Sequence, residues 1–567
     1  MSAGAGRAWA LMPDAPAYPG VRADRFWGVR VFTGRRLPDA LAPYESPAHT
    51  WERLAQDRLN GMPLLPEAAG PPARARLHHY QMPRVDGIAA AHRDGAPGYL
   101  LVAPTGSGKT VIAVSALAAL PTTCVLVVTK LGIVPAWLRT IDDYGGARRW
   151  VVVNAERLWR LFIHPHAVLA DLAPDQAAEL AATDGTPRVS FDAVVVDESQ
   201  ILANPDSLRS RLVNRLVQPD GGRRPFFLAA SATPFSDLAE TAYAADLLAH
   251  AAGIQVPAER TGPVYLDWVT SLKVTGTDGP ARPVSDIDTV KELLYRRGVG
   301  SSATTGELGL PAQQRTLHPV RLTDAERTRY EMAWTEFLQV LDPHHDPGTD
   351  PEIPADEGVL RQIMRASLIK APYVARHVAD LVAAGHQVVV PAWYLRTVRA
   401  LATHIARELA ARALLDRVVE ITGEQSSVRE LKRAAFQTGR ALVVVTNITD
   451  GISLHAGERN ADGRGTPATQ TPRRTVIGDV FTGGKRFVQV EGRAQRDGRQ
   501  APVDYLVAED TKEEEWMIRT LRAAAQTQYL AHAPEDAEAL LRLAVRLEDG
   551  EPGPARTRTP AATGGLR

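Results

Sequence analysis

Eight residues, Ala103-Pro-Thr-Gly-Ser-Gly-Lys-Thr110, have the spacing of a loop that wraps phosphate. They follow the apolar run Tyr99-Leu-Leu-Val102 and open the apolar helical pattern Thr110–Leu120, the strand–loop–helix setting such a loop needs. Gly106 and Gly108 let backbone N–H groups turn inward around the β- and γ-phosphates, with Thr105 and Ser107 completing the cradle. The helix N-terminus adds a favourable dipole. Lys109 reaches the terminal phosphates, and the Thr110 hydroxyl suits Mg2+. A second apolar run, Val194-Val-Val, delivers Asp197 and Glu198 at its end. Asp197 completes the Mg2+ site and Glu198 polarises an attacking water. The expected cofactors are ATP and Mg2+.

These residues need a rigid frame, and the hydrophobic pattern supplies one. Tyr99–Val102, Thr123–Val128, Trp150–Val153, Ala193–Val196 and Phe226–Ala229 read as fully buried parallel strands, with helical stretches such as Pro205–Leu216 between them. A less regular stretch follows, with helical pieces at Asp324–Leu341 and Val359–Ile369. Alternation resumes at Gln387–Val390, Arg417–Ile421, Ala441–Val445, Arg474–Gly478 and Val503–Val507, and the helices Thr511–Gln528 and Pro534–Leu547 follow. The fold class expected is α/β, two tandem parallel-sheet lobes with a helical insertion between them and short N- and C-terminal extensions. The expected boundaries are an accessory segment at 1–70, an ATP-binding lobe at 71–245, a helical linker at 246–380, a second lobe at 381–515, C-terminal helices at 516–549 and a disordered tail at 550–567.

Composition narrows the class of partner. Lys+Arg and Asp+Glu each number 65, so the net charge is zero and a histone-like basic carpet is excluded, although a local basic groove is not. The one cysteine, Cys124, excludes an intrachain disulfide and a four-cysteine zinc site, and fits a reducing cytosol. The first twenty residues lack a signal-peptide core, and Val111–Val128 is interrupted by Ser115, Pro121, Thr122 and Thr123. A cytoplasmic protein without a membrane partner is expected. The Ala/Arg-rich, Lys-poor usage suggests a GC-rich bacterial, phage or plasmid genome.

The loop, with alanine at Ala103 where the general pattern has glycine, resembles that of superfamily-2 helicases and translocases, whose two lobes are RecA-like. Further segments carry the resemblance in order. Gln489-Val-Glu-Gly492-Arg493-Ala-Gln-Arg496 resembles helicase motif VI, which implies that Arg493 and Arg496 act as arginine fingers across an interlobe cleft. Gln81, about one helix before the loop, has the place of the adenine reader. Val128–Trp137, with Lys130, resembles the segment that touches the nucleic-acid backbone. Ser231-Ala-Thr233 resembles motif III, which couples the nucleotide site to the nucleic-acid groove. Thr446–Leu454, with Thr446 and Gly451, matches motif V.

Asn204-Pro205, Leu322–Tyr330 and Gly492–Gln500 are similar to the Swi/Snf-type branch, whereas Gly451–His455 and Gln489–Tyr505 are similar to the strawberry-notch-like C-terminal domain. Gln200 replaces the histidine of the DEAH form, Ser231-Ala-Thr replaces Gly-Thr, and Asp497-Gly-Arg-Gln replaces Ile-Gly-Gln. The resemblance implies an ATP-driven DNA translocase or helicase, double-stranded DNA favoured and single-stranded DNA allowed. An RNA helicase is one alternative. A nucleotide-gated DNA-binding subunit of a repair, restriction or phage-defence complex is another, with protein partners held through the N-terminal segment and the C-terminal helices.

Overall fold

The computed structural model describes residues 77–549 apart from 105, 131–132, 147–148, 165, 188, 219–222, 274–285, 305, 310–312, 342–356, 415–416, 423–425, 448–453, 459–465, 480–482 and 495–500, together with short stretches between 7 and 44. The chain divides into two compact units, Met1–Leu308 with Leu530–Ala533, and Gly309–Tyr529 with Pro534–Arg567.

The first unit is built on strands β1 (Gly98–Val102), β2 (Cys124–Thr129), β3 (Arg149–Asn154), β4 (Ala193–Asp197), β5 (Phe226–Ser231) and β6 (Gly300–Ser302). They form one sheet in the order β6-β1-β5-β4-β2-β3, with every pair parallel. Every residue of β1, β2, β4 and β5 is buried, which explains why these strands read as unbroken apolar runs: both faces are covered. Helix α1 (Met82–Arg93) leads into β1, and the crossovers include helices α2 (Lys109–Ala119), α3 (Val134–Tyr144) and α4 (Leu208–Val217). Register pairs Val102 with Ser231, Ala230 with Asp197, and Val128 with Val196. The carboxyl ends of four strands therefore lie in one row, the position where open parallel sheets place their ligands.

The second unit repeats the plan. Its strands are β7 (Arg315–Val320), β8 (Gln387–Pro391), β9 (Val418–Ile421), β10 (Val443–Thr446), β11 (Arg473–Ile477) and β12 (Val503–Ala508). They form a parallel sheet in the order β7-β12-β11-β8-β10-β9. Along β8, Val388 and Val390 enter one apolar cluster and Val389 another, so this strand too is covered on both faces. Helices α5 (Glu357–Ala383), α6 (Leu395–Ala411), α7 (Gly484–Glu491), α8 (Lys512–Leu530) and α9 (Pro534–Glu548) accompany it. Each unit is a RecA-like lobe.

The structure differs from the pattern reading in three places. The region expected as a linker from 246 to 380 is divided: β6 joins the first sheet beside β1, β7 joins the second beside β12, and the boundary falls after Leu308. The helix expected over Val359–Ile369 continues through Pro372 to Ala383. Ala371, Val374, Ala375, Val378, Ala379 and Val382 are all buried in one cluster, and that burial outweighs the ~3 kcal/mol an interior proline costs. Within the segment expected as an accessory one, for which no strands are expected above, Arg7–Leu11, Val21–Asp24 and Val29–Gly34 form an antiparallel sheet with Val29–Gly34 in the middle, over a small core of Leu11, Phe32 and Leu41. Among the described residues no helix is long and apolar enough to cross a membrane.

Candidate nucleotide site of the first unit

The glycine-rich loop leaves the end of β1 and enters α2. Gly106 and Gly108 have φ of 88° and 80°, a left-handed conformation that glycine adopts without steric cost. Gly108 is held to that role twice, because a Cβ there would collide with Gln81 Nε2. Ser107, within the loop, is buried, and its carbonyl accepts from Gln81 Nε2 at 3.2 Å and from Tyr80 Oη at 3.2 Å. Gln81 Oε1 in turn accepts from the His78 N–H at 3.0 Å. The glutamine expected to read adenine thus also buttresses the loop. The Lys109 ammonium donates to the loop carbonyls of Ala103 at 3.0 Å and Pro104 at 3.5 Å. Thr110 follows in the first turn of α2 and is half-buried.

Asp197 ends β4 and is almost completely buried. Its Oδ2 accepts from Trp137 Nε1 at 2.7 Å and from Thr129 Oγ1 at 3.1 Å, and its Oδ1 accepts from the Glu198 N–H at 3.1 Å. Burial, followed by the neighbouring Glu198 carboxylate, pushes its carboxyl up to about 6, against the lowering influence of Trp137, Lys109 and Thr129. A carboxylate raised in this way gains from a nearby cation. The hydroxyl of Thr110 and the carboxylate of Asp197 are oxygen donors of the kind Mg2+ takes, and the left-handed glycines Gly106 and Gly108 give the loop the bend that a phosphate-wrapping loop needs. The residues present therefore fit a nucleotide with Mg2+.

Glu198 takes a left-handed backbone (φ 55°, ψ 54°), a strained conformation for a non-glycine residue and one that clusters at functional sites. From it runs a chain of hydrogen bonds. Gln200 Nε2 donates to Glu198 Oε2 at 2.8 Å, Ser231 Oγ donates to Gln200 Oε1 at 2.6 Å, and the Thr233 N–H donates to Ser231 Oγ at 2.9 Å. The Ser231 carbonyl also accepts from the Ala103 N–H at 3.1 Å, which ties β5 to the root of the phosphate loop. One continuous network thus joins the loop, the acidic pair and the Ser231-Ala-Thr233 turn.

The remaining expected residues divide into three groups. Lys130 lies just past β2, half-buried, with its carbonyl accepting from the Ile133 N–H. In the second unit, Thr446 is buried and donates its hydroxyl to the Ile421 carbonyl at 2.8 Å, a bond that joins β10 to β9. Arg493 is buried just after α7, and its carbonyl accepts from the Leu454 N–H at 3.2 Å. Thr105, Gly451 and Arg496 lie outside the described residues. Pattern reading missed Trp137 and Thr129 as partners of Asp197, and Gln200 as partner of Glu198. The available signal was a tryptophan one turn before Ile141 on the buried side of α3: a buried indole N–H needs an acceptor.

A second polar cluster lies within the second unit. His318 Nε2, His377 Nε2 and a carboxylate oxygen of Asp504 lie within 4.8 Å of one another. Arg474 meets both Asp504 oxygens, at 2.7 Å and 3.0 Å, while His318 lies 3.0 Å and His377 3.3 Å from them. Four nitrogens fill the carboxylate's acceptor positions, so the cluster is closed by the protein's own groups. It binds β7, α5, β11 and β12 together.

Residues 74–235 match the family described as type III restriction enzyme, res subunit. Among solved structures the chain is similar to the Hef helicase domain of Pyrococcus furiosus, at 12% identity over 78% of this chain and 97% of that one, with a TM-score of 0.39. It is also similar to a fragment assigned as an HsdR subunit of a type I restriction enzyme from Vibrio vulnificus YJ016, at 13% identity over 87% of this chain and 74% of that one, with a TM-score of 0.41. No curated protein matches the chain.

Proposed function

We propose that this chain, which carries a res-subunit domain of the superfamily-2 helicase-like kind, is an ATP hydrolase that uses the free energy of hydrolysis to move along DNA. The observation that carries the reading is the hydrogen-bond chain from Glu198 through Gln200 and Ser231 to the Thr233 N–H. A group that senses the terminal phosphate is thereby wired to the turn that follows β5.

In this reading the loop N–H groups and Lys109 hold the phosphates, with Lys109 leaving the Ala103 carbonyl to do so. Mg2+, held by Thr110 and Asp197, would neutralise phosphate charge and polarise the bond that breaks. Glu198 orients the attacking water, and Gln200 fixes the Glu198 carboxylate in place for that task. Gln81 offers its second amide hydrogen to adenine while the first stays on the Ser107 carbonyl. Arg493 and Arg496 are assigned to the charge that develops on the transferring phosphoryl group. The Ser231-to-Thr233 turn and Lys130 pass the change of nucleotide state to the nucleic acid, whose backbone is held without reading sequence.

The direct test is ATP-dependent displacement of a third strand from duplex DNA. Displacement by the wild type and none by Glu198→Gln supports the motor, whereas hydrolysis without displacement refutes it. The match to the res subunit of a restriction enzyme favours a second reading, a motor subunit silent until a partner protein docks. That reading predicts ATP binding without turnover in the isolated chain.

A further inference from the structure

The Asp197 carboxylate has more protein partners than a magnesium ligand needs. Its two oxygens offer about four lone-pair positions between them. Two of these, both on Oδ2, are taken by the Trp137 indole N–H and the Thr129 hydroxyl, and one on Oδ1 is taken by the Glu198 N–H. What remains is a single acceptor position, on Oδ1. Trp137 is completely buried in α3, a tryptophan placed one turn into the helix with its only polar atom aimed at the strand end. The bond, at 2.7 Å, has the length of a charge-assisted one.

We propose that Trp137 is the positioning residue of the magnesium site: together with Thr129 it saturates Asp197 Oδ2 and so presents Oδ1 alone, in one orientation, to the cation or to its bound water. The proposal rests on the nucleotide-site reading above and adds to it a residue that touches neither nucleotide nor metal. Without the indole donor, only the Thr129 hydroxyl and the Glu198 N–H hold the carboxylate, and Oδ2 regains an acceptor position that competes for the cation. Partners that orient a metal ligand commonly affect metal affinity about 10- to 100-fold when removed.

The test is ADP binding by calorimetry on the full chain, once with MgCl2 and once with EDTA, for wild type, Trp137→Phe, Thr129→Val and Trp150→Phe. Trp150 is the matched control, a buried tryptophan on β3 of the same unit whose Nε1 donates to the Gly145 carbonyl at 3.3 Å. In Trp137→Phe, the gain in ADP affinity that Mg2+ confers falls about 10-fold or more. ADP affinity in EDTA stays at the wild-type value. Thr129→Val shows a smaller loss in the same direction, and Trp150→Phe shows none. A Mg2+ gain retained in Trp137→Phe overturns the proposal. So does an equal loss of affinity with and without Mg2+, which marks a structural tryptophan only. If Trp137→Phe does not fold, Thr129→Val decides, because an unchanged Mg2+ gain there removes the basis for Oδ2 saturation. A wild type that binds ADP with no Mg2+ gain refutes the nucleotide-site reading itself, a result separate from either outcome for Trp137.

Discussion

Gly108→Ala attacks the phosphate loop at its tightest point, and its cost can be worked out in two parts. The backbone there has φ of 80°, and an alanine held in left-handed territory costs about 1–2 kcal/mol. The new Cβ also collides with Gln81 Nε2, which must leave the Ser107 carbonyl, a buried bond whose loss costs about 1 kcal/mol. The sum is roughly 2–3 kcal/mol. For a unit of this size it lowers the melting temperature by about 3–5 °C. A double-mutant cycle separates the parts. In a Gln81→Ala background the collision is already relieved, so adding Gly108→Ala costs only the backbone share. The two substitutions together then cost about 1 kcal/mol less than their sum. Thermal unfolding of the four proteins supplies the numbers, and ADP titration shows whether the loop still binds. Strict additivity, or a Gly108→Ala protein with unchanged melting temperature and ADP affinity, refutes this account of the loop.

Other perturbations test other parts of the structure. Lys109→Ala and Glu198→Gln each reduce ATP turnover by about 100-fold or more while circular dichroism remains that of the wild type; normal turnover in either removes that residue from the mechanism. Although burial opposes it, hydrogen bonds from His318, His377 and Arg474 hold the Asp504 carboxyl well below the usual carboxylate range. A depressed value means stabilisation that is fully present above the unfolded-state pKa of about 3.9 and is lost as pH falls further. Asp504→Asn therefore costs about 3 kcal/mol near neutrality, and the gap to wild type narrows below about pH 4 in denaturant titrations. Burial pushes the Cys124 thiol up to about 11, so its thiolate is scarce at pH 8. A thiol-reactive dye labels it only at the rate of unfolding, and fast labelling of the native protein contradicts its burial.

The phosphate-loop pattern and the acidic pair of the candidate site were legible because each is local in sequence. The loop from Ala103 to Thr110 is contiguous, and Asp197 and Glu198 close an apolar run whose length marks a buried strand. The partners that hold these groups were not read, since Trp137 and Thr129 reach Asp197 across the fold with no spacing rule, and the contact of Gln200 with Glu198, two residues away, depends on the turn after β4. The sheet edges were missed for a different reason. Gly300–Ser302 is too short for a period, and Arg315–Val320 is only partly buried and carries Pro319, which an edge strand tolerates. Helix α5 crosses Pro372 because the apolar face beyond it has a sheet to cover, a fact that residue propensity does not contain.

Whether the chain is a DNA-driven motor shows in the rate of ATP hydrolysis by the purified chain, alone and with duplex DNA, single-stranded DNA and structured RNA, with Glu198→Gln as control. Such a motor hydrolyses ATP slowly alone and far faster with duplex DNA, and the variant does not hydrolyse it. A rate in the wild type that no nucleic acid changes, or one that survives in Glu198→Gln, contradicts the motor reading.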